Sequence, residues 1–253
     1  MEIPANAQDR MRSILLFIAT IGTIVFNGLA ATGYVNGVTP EVISDKYSTV
    51  LTPAGYAFSI WSLIYVGLIA FSVYQILPRN LVRFRSVRSM YVISCVLNCS
   101  WIYFWHHEQI AVCFALIFAL LVTLIVILSQ FLRNSDKSGA IFTKGAFGVY
   151  AGWVTAATLV NFSIMLKYWS VELSPLSWNL LAAGALTLAA AMGVFARFWL
   201  KNYVYPMAVA WAATAIAVKQ SGNTMVVVAA AICTIICLIL AASFVMDQKS
   251  SIT

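Results

Sequence analysis

Three apolar segments of this chain carry indole, phenol and amide side chains at helical spacing. Residues three or four positions apart share one face of an α-helix, so each segment is expected to present these groups as a single stripe. Indoles and phenols offer flat walls with one polar edge each, and carboxamides can orient heteroatoms of a ligand. Together they suit a flat, mostly apolar molecule. The stripes are Trp61 with Tyr65; Asn98 with Trp101 and Trp105; and Trp153 with Ala157 and Asn161.

Two of these side chains are amides inside apolar segments. A carboxamide in an apolar environment is costly unless it finds a partner, so Asn98 and Asn161 are expected to face the interior of a helical bundle. Tryptophans near the ends of membrane spans have a different usual role, because they form a belt at the membrane surface. We assign to that belt Trp105, Trp169 and Trp199.

Small residues surround Trp153 in the sequence, and they have two interpretations. They can leave room for a ligand beside the indole. They can also bring two helices close together, for which the spacing of Gly148 and Gly152 is typical. The sequence leaves both open.

The composition places these stripes in a membrane. The chain has 253 residues, of which 62% are apolar and only 9% are charged. A soluble domain carries roughly 25% charged residues, and the mean hydropathy is +0.91. A soluble globular enzyme, a disordered chain and a disulfide scaffold are therefore excluded. The composition predicts an all-α, polytopic transmembrane helical bundle.

Eight apolar segments are long enough to be counted as helices of that bundle. A hydrocarbon core of roughly 30 Å needs about 17–25 residues of helix. The third and seventh segments are the shortest, and merging the seventh with the eighth would leave seven spans and an outer C-terminus. The eight lie at about 14–35, 54–77, 89–105, 109–132, 142–166, 177–200, 203–219 and 223–246.

The positive charges predict the orientation. With the N-terminus in the cytoplasm, all of the 15 Lys and Arg residues except Lys46, Lys167 and Lys219 fall on the inner side, as the positive-inside rule requires. Lys137 and Lys249 are among the inner residues. We therefore expect a multi-pass integral membrane protein with both termini cytoplasmic. A bacterial plasma membrane is the default expectation, and the charge pattern applies equally to the membranes of several organelles.

Three of the segments resemble those of a known family. The runs TPAGYAFSIWSLIY, LNCSWIYFW and YAGWVTAATLVN resemble the TspO/MBR family, which comprises the tryptophan-rich sensory or translocator proteins (peripheral-type benzodiazepine receptors). Their order and spacing match the five-helix core of that family. The resemblance divides the chain into a TspO/MBR-like core at residues 1–168 and an additional three-helix membrane extension at residues 169–253.

The resemblance implies a hydrophobic pocket for porphyrins, with sterols or benzodiazepine-type drugs bound by some members. When the family motifs are matched residue by residue, the resemblance implies ligand contacts from their aromatic, amide and small positions. We add Trp101 because it lies three residues after Asn98 on the same helix face. The expected ligand-binding residues are Trp61, Tyr65, Asn98, Trp101, Trp153, Ala157 and Asn161.

The chain departs from the family pattern after the third predicted helix. Members have a small-residue turn there, whereas this chain has His106, His107 and Glu108. Adjacent residues on a helix point about 100° apart, so the two histidines make a poor chelating pair. We interpret this segment as a short polar turn on the outer side.

No enzymatic motif occurs in the sequence, which has no GxSxG, HExxH or P-loop pattern. The five cysteines all fall inside apolar segments and are interpreted as small buried residues. We therefore expect no catalytic residue, no metal site and no required cofactor, with a tetrapyrrole as a ligand. Nucleic acid is not an expected partner, because the aromatic residues lie in the spans rather than in a basic groove.

The sequence predicts a membrane receptor, sensor or carrier for a planar hydrophobic ligand such as a porphyrin. The expected partners are membrane lipids and that small molecule, a porphyrin or a sterol; association with a second copy of the chain is left open. Two alternatives remain: a transporter of small apolar metabolites, and an enzyme that degrades a bound tetrapyrrole.

Overall fold

The computed structural model describes residues 5–134 and 139–244, and within these two ranges the chain forms helices and no strand. The predicted all-α polytopic fold is confirmed. Lys137 and Lys249, which entered the charge count, lie outside the described residues. The helices are α1 (Ala7–Ala31), α2 (Pro40–Lys46), α3 (Ile60–Ile76), α4 (Arg85–His106), α5 (Ile110–Asn134), α6 (Ala146–Tyr168), α7 (Pro175–Phe198), α8 (Val204–Lys219) and α9 (Thr224–Ala242).

The long helices follow the predicted segments in order. Six helical stretches are long and apolar enough to cross a membrane by length and composition. The two that remain, α4 and the apolar but shorter α8, correspond to the third and seventh predicted segments. The six stretches are Ala7–Ala31, Gly55–Ile76, Ile110–Arg133, Ile141–Tyr168, Pro175–Phe198 and Thr224–Ala242.

Polar residues mark where several helices begin. Asn6 accepts a hydrogen bond from the amide of Asp9, and the Asp9 carboxylate accepts one from the amide of Asn6, which forms a capping box at the start of α1. The hydroxyl of Ser174 accepts from the amide of Ser177 at the start of α7, where Pro175 is the first helical residue. These caps satisfy backbone groups that the helices themselves leave unpaired.

The chain forms two compact units. The first comprises Met1–Pro40 and Trp61–Phe147, and the second comprises Glu41–Ile60 and Gly148–Thr253. The first unit thus contains α1, α4, α5 and nearly all of α3. The second contains α7, α8, α9 and nearly all of α6. The predicted division between residues 168 and 169 rests on the resemblance and stays a prediction.

An aromatic core holds the first unit together, in which α1 packs on α4 and α4 packs on α5. Phe71 is completely buried and its ring centroid lies 5.0 Å from that of Phe147, 5.6 Å from Phe131 and 5.5 Å from Tyr91. The Thr20 hydroxyl lies 2.6 Å from both the Tyr91 and the Ser72 hydroxyls. These contacts join α1, α3 and α4 through apolar packing and hydrogen bonds.

A charged cluster joins the beginnings of α1 and α4. The Arg85 guanidinium donates to both carboxylate oxygens of Asp9, with Nε 2.7 Å from Oδ1. Nη1 of Arg88, which is 1% exposed, lies 3.9 Å from the same carboxylate, and its Nε donates to Gln75 at the end of α3. The starts of α1 and α4 therefore lie together, as the alternation of the charges predicts. Which side of the membrane they face stays a prediction.

Close backbone approach characterises the second unit, in which α7, α8 and α9 pack on one another. A Cβ added at Gly152 would overlap the carbonyl oxygen of Tyr205 and lie 2.9 Å from Cβ of Ala208. A Cβ added at Gly148 would overlap the amide of Asn202. Of the two interpretations of these glycines, close packing is the one that the structure confirms.

Candidate functional site

Four aromatic rings form a column in the first unit, between α3 and α4. The rings of Tyr65 and Trp61 are stacked with centroids 5.7 Å apart, and those of Trp61 and Trp101 with centroids 6.2 Å apart. Trp105 continues the column, with its centroid 5.8 Å from that of Trp101. The angles between successive ring planes are 21°, 27° and 25°. The column therefore presents nearly parallel ring faces.

The column has a buried end and an accessible end. Trp101 is 4% exposed and Trp105 is 2% exposed, whereas Trp61 and Tyr65 are half-buried. The i,i+4 spacing of each pair sets two rings on one face of its helix, and the packing of α3 on α4 brings the two pairs together. The Tyr65 hydroxyl has no hydrogen-bond partner among the residues that the structure describes. The accessible end thus combines two partly uncovered aromatic rings with one polar group.

The assignment of Trp105 to a membrane-surface belt is wrong. Its ring is buried against Trp101, and its indole N–H donates to the carbonyl oxygen of Pro40 at 3.2 Å. Trp169 and Trp199, by contrast, are 56% and 65% exposed, as expected for residues that face lipid or its surface. Trp105 lies near a helix end, as Trp169 and Trp199 do. It is buried because the segment that follows α1 covers it.

Asn98 lies beside the column on α4 and holds α1. Its Oδ1 accepts a hydrogen bond from Nδ2 of Asn27 at 2.7 Å, and the two residues are 1% and 5% exposed. The expectation that Asn98 faces the interior is confirmed. Asn27 was not singled out from the sequence, although it follows Thr20 and Thr23 at spacings that place all three on one face of α1. That polar stripe is the sequence feature from which Asn27 could have been predicted to face the interior.

The remaining predicted residues lie in the second unit, on α6. Trp153 is 4% exposed and stands edge-on to Phe58, with ring centroids 6.0 Å apart. Asn161 is 3% exposed, and its Nδ2 donates to the carbonyl oxygen of Ala157 at 2.9 Å. Asn161 therefore faces the interior as expected. The convergence of all seven predicted residues on one pocket stays a prediction.

The turn after α4 differs from the expected polar outer turn at one position. His107 is exposed, but His106 is completely buried, so the expectation is wrong for His106. Nδ1 of His106 lies 2.8 Å from the carbonyl oxygen of Ile102. The backbone carbonyl of His106 accepts a hydrogen bond from the side-chain amide of Asn36. The loop after α1 is fastened in this way to the end of α4.

The cysteines and charged residues form no recognisable metal centre in the described ranges, where no group of three or more His, Cys, Asp and Glu side chains comes together. All five cysteines are free thiols. Cys99 is the least buried of them.

Comparison with known families gives one match. The model of a family described as TSPO-like protein matches residues 13–244. The match covers nearly the whole chain and includes α7, α8 and α9, the three helices expected to form an extension. No curated protein and no solved structure matches the chain.

Proposed function

This chain belongs to the family of TSPO-like proteins, and from that membership and its aromatic column we propose that it binds a planar, largely apolar ligand such as a porphyrin within the membrane. It is an integral, multi-pass membrane protein, as its long apolar helices and its family show. Receptor, sensor and carrier roles all begin with this binding step.

The accessible end of the column is the observation that carries the proposal. Trp61 and Tyr65 keep part of their surface uncovered while their rings lie within 21° of parallel. The ligand extends this stack from the uncovered part of the two rings. Offset stacking contributes about 0.5–1.5 kcal/mol per pair beyond the burial of apolar area. The column is therefore prepared to accept one more ring system.

The polar groups around the column divide into two roles. The Tyr65 hydroxyl is available to a heteroatom at the edge of the ligand. Asn98 acts one step further away, because its hydrogen bond to Asn27 fixes α4, which carries Trp101 and Trp105. Three further ligand contacts are proposed from the family resemblance, those of Trp153, Ala157 and Asn161.

The proposed partners are the surrounding membrane lipids and a second copy of the chain.

A titration with protoporphyrin IX tests the proposal. We expect the full-length protein in detergent to bind the porphyrin saturably, as followed by the porphyrin's own absorption band. The double variant Trp61→Leu/Tyr65→Leu removes both accessible rings, and each lost stacking pair contributes about 1 kcal/mol. Its Kd should therefore be about tenfold higher or more.

Two further variants make the titration specific. Trp199→Leu removes an indole that is 65% exposed and outside the column, and it should leave the Kd unchanged. Tyr65→Phe keeps the ring and removes the hydroxyl, and should raise the Kd by a factor of about two to ten. The proposal would be wrong if the double variant and Trp199→Leu had the same affinity as the wild type.

A further inference from the structure

A separate cavity of about 470 Å³ lies in the second unit and uses none of the residues of the aromatic column. Its volume falls within the range of about 300–1,000 Å³ that is usual for sites of small molecules. It is formed by the loop before the short 3-10 helix at Gly55–Ser59, the end of α6, the segment leading into α7 and the residue after α8. The lining residues are Ser48, Thr49, Val50, Lys167, Val171, Glu172, Leu173, Trp178 and Gln220.

Hydrogen bonds hold in place the loop at residues 48–52, which forms one wall of this cavity. Nε2 of Gln220 donates to the carbonyl oxygens of Thr49 and Thr52 at 3.1 and 3.3 Å. The Thr49 hydroxyl lies 2.8 Å from that of Ser163 on α6. Hydrogen bonds thus hold the loop at residues 48–52 to α6 and to the residue that follows α8. The cavity is consequently preformed, which reduces the entropy lost when a ligand binds.

Two opposite charges line the cavity without neutralising each other. Lys167 donates one N–H to the carbonyl oxygen of Ser48, which leaves two ammonium donors. The Glu172 carboxylate has no hydrogen-bond or ion-pair partner in the described part of the chain. Both side chains are exposed. A ligand with a charge of only one sign would meet a like charge among the lining residues.

Trp178 supplies the aromatic part of the same lining. Its indole is half-buried, and an ammonium group over the face of an indole is attracted by about 0.5–1 kcal/mol at an exposed site. Val50, Val171 and Leu173 supply the apolar part of the lining. A carboxylate together with an aromatic face is a favourable environment for an ammonium group, and the Lys167 ammonium is a favourable one for an anion.

We propose that this cavity binds a zwitterion, with the anionic group of the ligand at Lys167 and its ammonium group between Glu172 and Trp178. The ligand is either a free solute or the headgroup of a lipid. The two sources share this chemistry, and they differ in the apolar chains that a lipid adds.

Calorimetric titration of the full-length protein in a maltoside detergent, which carries no charge, tests the proposal. The probes are glycine betaine and glycerophosphocholine as soluble zwitterions, and choline and inorganic phosphate as single charges. We expect saturable binding of at least one zwitterion, with a Kd at least about tenfold lower than for choline or phosphate. Dihexanoyl phosphatidylcholine below its micelle concentration serves as the lipid probe. Tighter binding of it than of glycerophosphocholine identifies a lipid headgroup, and equal binding identifies a solute.

Matched variants locate the binding. Lys167→Met and Glu172→Gln should each raise the Kd about tenfold or more, because each removes a charge-assisted contact. Lys46→Met and Glu41→Gln make the same chemical changes on α2, outside the cavity, and should leave the Kd unchanged. Glu172→Gln disturbs no contact among the described residues, so it remains informative if Lys167→Met does not fold. Absence of saturable zwitterion binding below about 10 mM, equal binding of choline or phosphate, or wild-type affinity of Glu172→Gln would overturn the proposal.

Discussion

The Gly152→Ala variant is expected to lose most of its folded protein at a temperature at which the wild type is stable. The added Cβ would overlap the carbonyl oxygen of Tyr205 and lie 2.9 Å from Cβ of Ala208. The obstacle is backbone, which has no alternative rotamer, so α6 and α8 would have to separate. Overpacking of this kind costs about 1–3 kcal/mol or more. Thermal unfolding followed by size-exclusion chromatography measures the effect.

A glycine on α7 provides the control. Nothing lies within 4 Å of a Cβ added at Gly184, so Gly184→Ala should be neutral or stabilise the helix by up to about 1 kcal/mol. Both variants make the same change within a membrane helix, so any difference between them reports the local packing. Equal unfolding temperatures for Gly152→Ala and Gly184→Ala would contradict the packing described here.

The Asp9→Asn variant is expected to unfold at a temperature several degrees below that of the wild type. The substitution removes the carboxylate that Arg85 binds with two hydrogen bonds and that lies nearest to the buried guanidinium of Arg88. Removing one partner of a buried ion pair leaves an uncompensated charge, which is more damaging than replacing the whole pair. The same thermal unfolding assay measures the loss.

A second substitution tests this reason for the loss. In the Asp9→Asn background, Arg88→Met removes the guanidinium that has lost its counter-charge, and the double variant should recover part of the lost stability. Glu41→Gln, a charge removal on α2, should have no effect. If Asp9→Asn were as stable as the wild type, the cluster would not be what holds α1 against α4.

The membrane helices could be predicted because the lipid environment imposes strict rules. Every backbone group must be paired inside the segment, so an apolar run of sufficient length has to be helical. Helix α4 shows where hydropathy alone falls short, since it contains Arg88, Asn98 and His106, all buried in the first unit. The sequence predicted this helix as one of its two shortest apolar segments, and the alternation of positive charges supported that count.

The aromatic column could be predicted only in part. Spacing places Trp61 with Tyr65 on one face of α3, and Trp101 with Trp105 on one face of α4. Whether the two pairs stack depends on how each helix is rotated about its axis, and spacing within one helix does not determine that rotation. The prediction for Trp105 failed because its partner, the carbonyl of Pro40, lies 65 residues away in the sequence.

Long-range partners explain the other omissions. Asn27 and Asn98 are 71 residues apart, and nothing in either segment identifies the other as its partner. The charged cavity likewise combines loop and helix-end residues, from Ser48 to Gln220, that belong to no common motif. Polar stripes within apolar helices indicate which side chains need a partner, and the fold decides which partner they find.

The structure of the full-length protein with a bound porphyrin is the most direct test of the aromatic site. We expect a porphyrin whose plane lies nearly parallel to the rings of Trp61 and Tyr65 and about 3.5–4.0 Å from at least one of them, with a polar edge of the ligand near the Tyr65 hydroxyl. A porphyrin bound elsewhere, with both rings still uncovered, would contradict the central claim.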